Sequence, residues 1–160
     1  MSTKINGFTL IELMIVIAIM SILTTIAIPS FQDRIIRIQI QEALDLSEMA
    51  KKGVEDYYKA KKAFPADNQD AGLPPTEKII GNFVTGVSIR SGAIDVYLGN
   101  KINKHADQKI VTIRPAIVEG EPIVPIAWIP GYASVPDGMT VIGENKSDLL
   151  PRLLPMSCRY

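Results

Sequence analysis

Residues 8–28 form an unbroken apolar run in which Glu12 is the only charged position. About 20 apolar residues rising ~1.5 Å each span the hydrocarbon core of a bilayer. Pro29 interrupts the run and predicts a bend in a continuing helix. Beyond it the pattern turns amphipathic. Ile36, Ile40, Ala43, Leu44, Ala50, Val54 and Tyr57 recur on one helical stripe, and most charged residues between Asp33 and Asp56 lie off it. Glu48–Lys52 and Glu55–Lys59 have the spacing of supporting i,i+4 pairs. The pattern predicts one helix over about 8–62, roughly 80 Å long. Its first half has no soluble core to pack on and needs lipid or other helices.

Residues 64–75 are rich in breakers and read as a loop. Four strand-like runs follow, marked by Phe83, Val87 and Ile89, then Ile94, Val96 and Leu98, then Val111 and Ile113, then Val124, Ile126 and Trp128. Short connections at Ser91–Gly92 and Glu119–Glu121 favour antiparallel pairing. Pro115 and Pro125 point to strand ends, bulges or edges. The fold class expected is α+β: a long N-terminal helix, its first half transmembrane and protruding, its second half packed on a four-stranded antiparallel sheet. Residues after Gly131 read as irregular, and no internal repeat or low-complexity tract appears.

Composition narrows the picture further. The 160 residues suit one small domain plus an anchor. Formal net charge is zero, which removes any global attraction to nucleic acid or anionic lipid. The single cysteine, Cys158, cannot form an intramolecular disulfide. Lys4 ahead of the run predicts a cytoplasmic leader with the bulk of the chain outside. A secretory signal peptide is the competing reading of this end, but the run is long for an h-region of about 7–15 residues. Ionised Glu12 inside it costs roughly 2.5 kcal/mol or more without a partner. No cation lies between Phe8 and Ile28, so the expected partner is created by processing or supplied by another chain.

The string Gly7-Phe8-Thr9-Leu10-Ile11-Glu12-Leu13-Met14 resembles the processing site of type IV prepilins. The short leader with one Lys, the Gly before the cut, the Phe after it, the Glu at the fifth mature position and the Pro ending the run all match that family. Ala71–Pro74, Gly81–Val84, Trp128 and Leu154–Arg159 are similar to type IVa pilins. The resemblance implies cleavage between Gly7 and Phe8 by a prepilin peptidase that also N-methylates Phe8. It implies that Glu12 meets the new Phe8 ammonium of a neighbouring subunit and sets assembly register, and that Pro29 kinks or loosens the helix. The implied organisation is a leader at 1–7, a transmembrane and polymerising half-helix at 8–31, and a globular head at 32–160. In that family a Cys stands two residues after the Trp. Here the position is Pro130, so Cys158 lacks its usual partner, and Trp128, Tyr132, Leu153 and Leu154 are expected to hold the C-terminal loop by packing.

The implied function is that of a structural subunit of a type IV pilus, serving adhesion, twitching motility or DNA uptake. Implied partners are other pilin subunits, the peptidase and methyltransferase, the inner-membrane assembly machinery, and membrane lipid before assembly. The place is the inner membrane of a Gram-negative bacterium, then the extracellular pilus. Alternatives are a minor pilin with a DNA- or surface-binding role, a type II secretion pseudopilin, and, from another class, a membrane-anchored or secreted enzyme. No phosphate loop, Ser-His-Asp set or paired carboxylates appear, so no catalytic residue, cofactor or metal ligand is assigned. His105 is the only histidine and reads as a surface residue. Lys101, Lys104 and Lys109 beside it read as a solvated face, with weak, salt-sensitive contact to nucleic acid as the functional alternative.

Overall fold

A computed structural model describes residues 7–159, apart from the side chains of Pro29 and Ser30. The leader residues 1–6, Lys4 among them, and Tyr160 lie outside the described residues. The chain divides into two units, 1–34 and 35–160. Helix α1 (Leu10–Leu46) begins in the first and continues into the second, and α2 (Glu48–Lys61) follows. The single helix expected over 8–62 is present as one long helix, Leu10–Lys61, with one break in its regular pattern between α1 and α2. The break is Ser47, which is buried: its hydroxyl donates to the Leu44 carbonyl at 2.5 Å and its N–H to the same oxygen at 2.9 Å. A serine side chain that competes for the backbone in this way tightens the turn. The expected Glu48–Lys52 pair is replaced by Glu48–Lys51 at 2.6 Å, while Glu55–Lys59 forms at 3.8 Å.

In the second unit an antiparallel meander runs β1 (Val84–Arg90), β2 (Ala93–Leu98), β3 (Ile110–Ile117) and β4 (Ala127–Pro130). Ser91 and Gly92, both at positive φ, turn β1 into β2, as an I′ hairpin requires. The apolar stripe of the helices closes on one sheet face. Ile36, Ile40, Leu44 and Val54 pack in one cluster with Val87, Ile94, Val96, Val111 and Ile113. Gly53 serves this packing, since a Cβ there would lie 2.8 Å from the Ala71 carbonyl oxygen.

The expected four strands become five. β5 (Thr140–Val141) pairs with β3 at Ala116 and Ile117, beyond the last β2 partner at Ile113. Pro115 lies inside β3, where its neighbour changes from β2 to β5, so its missing N–H interrupts no continuous ladder. The fourth strand starts at Ala127, three residues later than Val124, which stays exposed. The second sheet face is covered as well. Asp95 on β2 is buried, accepting from Thr112 Oγ1 at 2.7 Å and from Arg90 Nε at 3.2 Å. Thr112 in turn receives the Lys146 N–H at 3.0 Å and donates its own N–H to Ser147 Oγ at 2.9 Å. The segment after β5 is thereby bound over this face.

The outer edge of β1 is closed by one side chain. Asn68 donates Nδ2 to the Val87 carbonyl at 2.9 Å and to Pro74 at 3.0 Å, and accepts the Ile89 N–H at 2.6 Å. Its amide takes the place of a neighbouring strand's peptide. Asn68→Ala leaves a buried N–H and C=O unpaired, at about 2 kcal/mol or more. Thermal unfolding of the detergent-solubilised full chain is expected to show a lower Tm. Asn68→Asp, which keeps only the acceptor, should fall between the two.

Candidate assembly site

The first unit carries the motif. Thr9 precedes helix α1 and Glu12 stands in its first turn. The Thr9 N–H and hydroxyl donate to Glu12 Oε2 at 2.9 and 2.8 Å, and the Glu12 N–H returns to Thr9 Oγ1 at 3.3 Å. This is a capping box, reciprocal between N-cap and N3. The expectation that Glu12 finds no partner in its own segment is corrected here. It finds no cation there, but it does find two donors. The Thr9-x-x-Glu12 spacing carried that signal in the sequence.

Every large apolar residue between Phe8 and Ile28 is exposed. The hydroxyls on this surface are satisfied internally. Ser21 donates to Ile17 O at 2.7 Å, Thr24 to Met20 O at 2.7 Å and Thr25 to Ser21 O at 2.9 Å. Hydroxyls that return to the i−4 carbonyl leave no polar group seeking water. By length and composition the helix is able to cross a membrane. Its backbone stays helical through Pro29.

The basic loop lies between β2 and β3. Lys101, Lys104 and His105 are exposed, while Lys109 Nζ sits 3.3 Å from Asp148 Oδ2 and is already paired. Of the three lysines read as a solvated face, Lys101 and Lys104 have no ion-pair partner among the described residues. Among the described residues no three His, Cys, Asp or Glu side chains gather as metal ligands.

The C-terminal segment closes without a covalent bond. Cys158 is a buried free thiol, and its carbonyl accepts the Tyr132 N–H at 2.8 Å. Gly131, at φ +59°, makes room, since a Cβ there would meet the Cys158 carbonyl oxygen at 2.7 Å. Leu153 and Leu154 are buried as expected, joined by Leu149. Trp128 packs against the core and donates Nε1 to Glu55 at 3.0 Å. Tyr132 stays at the rim, its hydroxyl on the Ser147 carbonyl at 2.7 Å.

An apolar helix exposed on all sides, opening on a capped carboxylate and leading into a helix-on-meander head, defines a subunit that anchors or assembles through its N-terminal helix. The comparisons identify the class. The prokaryotic N-terminal methylation motif matches residues 2–28, and the pilin (bacterial filament) family matches residues 37–159. The chain is 33% identical to the type IV major pilin protein PilE of Neisseria gonorrhoeae, covering 99% of this chain and 96% of that one. It is 31% identical to a fimbrial protein of Neisseria meningitidis serogroup B over the same shares. Over 84 residues, 52% of this chain and 54% of the relative, it is 48% identical to fimbrial protein EcpC of Eikenella corrodens. The chain belongs to the type IV pilin family, and its role is that of a pilus structural subunit.

Burial pushes the Cys158 thiol above its ordinary range, against smaller opposing effects of the Ser157 hydroxyl and Lys51. The neutral thiol is thus favoured in the fold. Its contribution to stability is complete below the ordinary thiol pKa and is lost as pH rises through the raised value. Iodoacetamide at pH 8 is expected to label the native protein at least about tenfold more slowly than the unfolded chain. Mass spectrometry after denaturation should find one label per chain without reductant.

Proposed function

We propose that this chain is a prepilin cut between Gly7 and Phe8, methylated on Phe8, and polymerised through residues 8–31 while residues 32–160 form the filament surface. The observation that carries the reading is the uncovered apolar helix with Glu12 as its only charge. Before assembly lipid covers that surface in the inner membrane of a Gram-negative cell. In the filament the helices of other copies cover it. The partners on this route are the prepilin peptidase and methyltransferase, the assembly machinery and further pilin subunits. Pro29 provides a helix position with one backbone hydrogen bond fewer.

Glu12 has two successive partners in this scheme. Thr9 holds its carboxylate in the lone subunit. The Phe8 ammonium of a neighbour takes it over in the bundle, where an unpaired carboxylate costs several kcal/mol. The relatives named major pilins and fimbrial proteins favour the abundant structural subunit over a minor pilin or pseudopilin. Lys101 and Lys104, with Lys109 engaged by Asp148, allow only weak contact with DNA.

Processing is tested on sheared surface filaments, whose subunit is expected by mass spectrometry to begin at methylated Phe8. Gly7→Leu should leave uncut precursor in the membrane. A mature chain starting near Pro29 overturns the reading. Glu12→Gln separates the two roles of the carboxylate, because it keeps acceptor and cap but removes charge. It is expected, like Glu12→Ala, to lower filament yield more than about tenfold at equal processed subunit. Normal filaments from Glu12→Gln reduce Glu12 to a helix cap.

A further inference from the structure

Ile123 is the most exposed large apolar side chain among the described residues, at 90%. It stands in the connection from β3 to β4, between Pro122 and Val124, with Glu119 and Glu121 exposed beside it. This loop leans on α2, forming a shallow cleft with Glu55, Tyr58 and Lys59. Lys59 is the cation at hand, but its ammonium faces Glu55 at 3.8 Å. Neither Glu119 nor Glu121 has an ion-pair partner among the described residues. The surface is an apolar knob with an unpaired acidic rim.

The C-terminal segment carries its counterpart. Arg37 Nε donates to the Arg152 carbonyl at 3.2 Å, and Arg159 Nη2 donates to the same oxygen at 2.8 Å. The Arg152 side chain is itself exposed. Two guanidinium groups thus meet at the carbonyl of a third arginine, and none of the three has a carboxylate partner among the described residues. Leu150 and Met156, the latter 72% exposed, add apolar surface beside them. The adjacent Lys109–Asp148 pair is internally neutral.

The strand order puts these surfaces at opposite ends of the second unit. The acidic loop joins the exit of β3 to the entry of β4. The arginine cluster is tied to the other end, by the Tyr132 N–H on the Cys158 carbonyl after β4 and by Gln39 Oε1, which accepts the Asn103 N–H before β3. The two surfaces are opposite in charge, acidic at Glu119 and Glu121 and basic at Arg37, Arg152 and Arg159.

We propose that the two surfaces are halves of one contact between copies, in which the Ile123 loop of one subunit seats on the Arg37, Arg152 and Arg159 cluster of the next. The contact rests on the filament reading above and adds a head-to-head-domain link to the packing of apolar helices. It is heterologous, because donor and acceptor surfaces differ, and repetition therefore gives an open helical array instead of a closed dimer. A single loop covers less than the ~800 Å² per partner of a stable pair. It acts inside the filament, where helix packing holds the heads at high effective concentration.

The test uses filaments of the full chain. Ile123→Cys and Leu150→Cys are introduced together, and sheared filaments are treated with a short bismaleimide. A ladder of covalent dimers, trimers and longer chains is expected, with none from either single variant, since native Cys158 is buried. Glu121→Arg and Arg152→Glu should each lower the sheared filament yield about tenfold at equal processed subunit, and the double exchange should restore it to within about twofold. Filaments that give no ladder overturn the contact, as do dimers from either single variant or additive losses in the double exchange. Normal filaments from Arg152→Glu that no longer retain phosphatidylglycerol vesicles assign the arginines to lipid headgroups instead. If the unmodified chain forms no filaments, the filament reading fails and this contact falls with it.

Discussion

The apolar surface of residues 8–28 finds no cover anywhere within its own unit, and much of the molecule follows from that. A helix with its backbone and hydroxyls satisfied internally is at home in any apolar surrounding. Lipid tails and neighbouring helices are nearly equivalent in this respect, so hydrophobic burial does little to drive a subunit from one to the other. What distinguishes the two environments is polar and directional. The carboxylate of Glu12 is the one group on the span whose energy depends strongly on which partner it meets. In the proposed scheme, storage in a membrane and release into a polymer use one surface, and the choice between them rests on the charge of Glu12.

The head solves a different problem. A meander has two edges and two faces, and each invites unwanted pairing unless covered. The helices take one face. The segment after β5 takes much of the other, held by the Asp95, Arg90 and Thr112 network. Asn68 seals the β1 edge between Val87 and Ile89. With both faces covered and the β1 edge sealed, strand pairing at that edge is blocked, and the proposed contact between copies uses side chains at the ends of the unit.

The sequence made some of this plain and concealed the rest. The apolar span was legible because period and length there admit one interpretation, and the Gly7–Glu12 string added chemistry to it. The core stripe from Ile36 to Val54 and the alternation of Ile94, Val96 and Leu98 were legible because one face of each is buried against the other. Asp95 and Thr112 were not, since the segment that ties down over them, residues 144–147, arrives from far along the chain, and a strand's own pattern records only its nearer cover. Ser47 looked like an ordinary helix residue, and its competing hydroxyl acts only once the turn has formed. Asn68 sat in a loop full of polar residues, where nothing marks the one side chain that aligns with a strand edge.

The closure of residues 131–159 by a backbone hydrogen bond and buried leucines has a consequence for the conditions under which the head matures. With Pro130 opposite a solitary Cys158, no step of folding waits for an oxidant, a thiol exchange partner or the correct pairing of sulfurs. The head reaches the same structure in a reducing or an oxidising compartment, and a reductant that opens stapled domains leaves it intact. The exchange is one of lifetime. A covalent staple stays closed until chemistry breaks it, whereas this segment opens and recloses at a rate set by local unfolding. Its tolerance of redox change comes with sensitivity to heat, denaturant and pull along the chain.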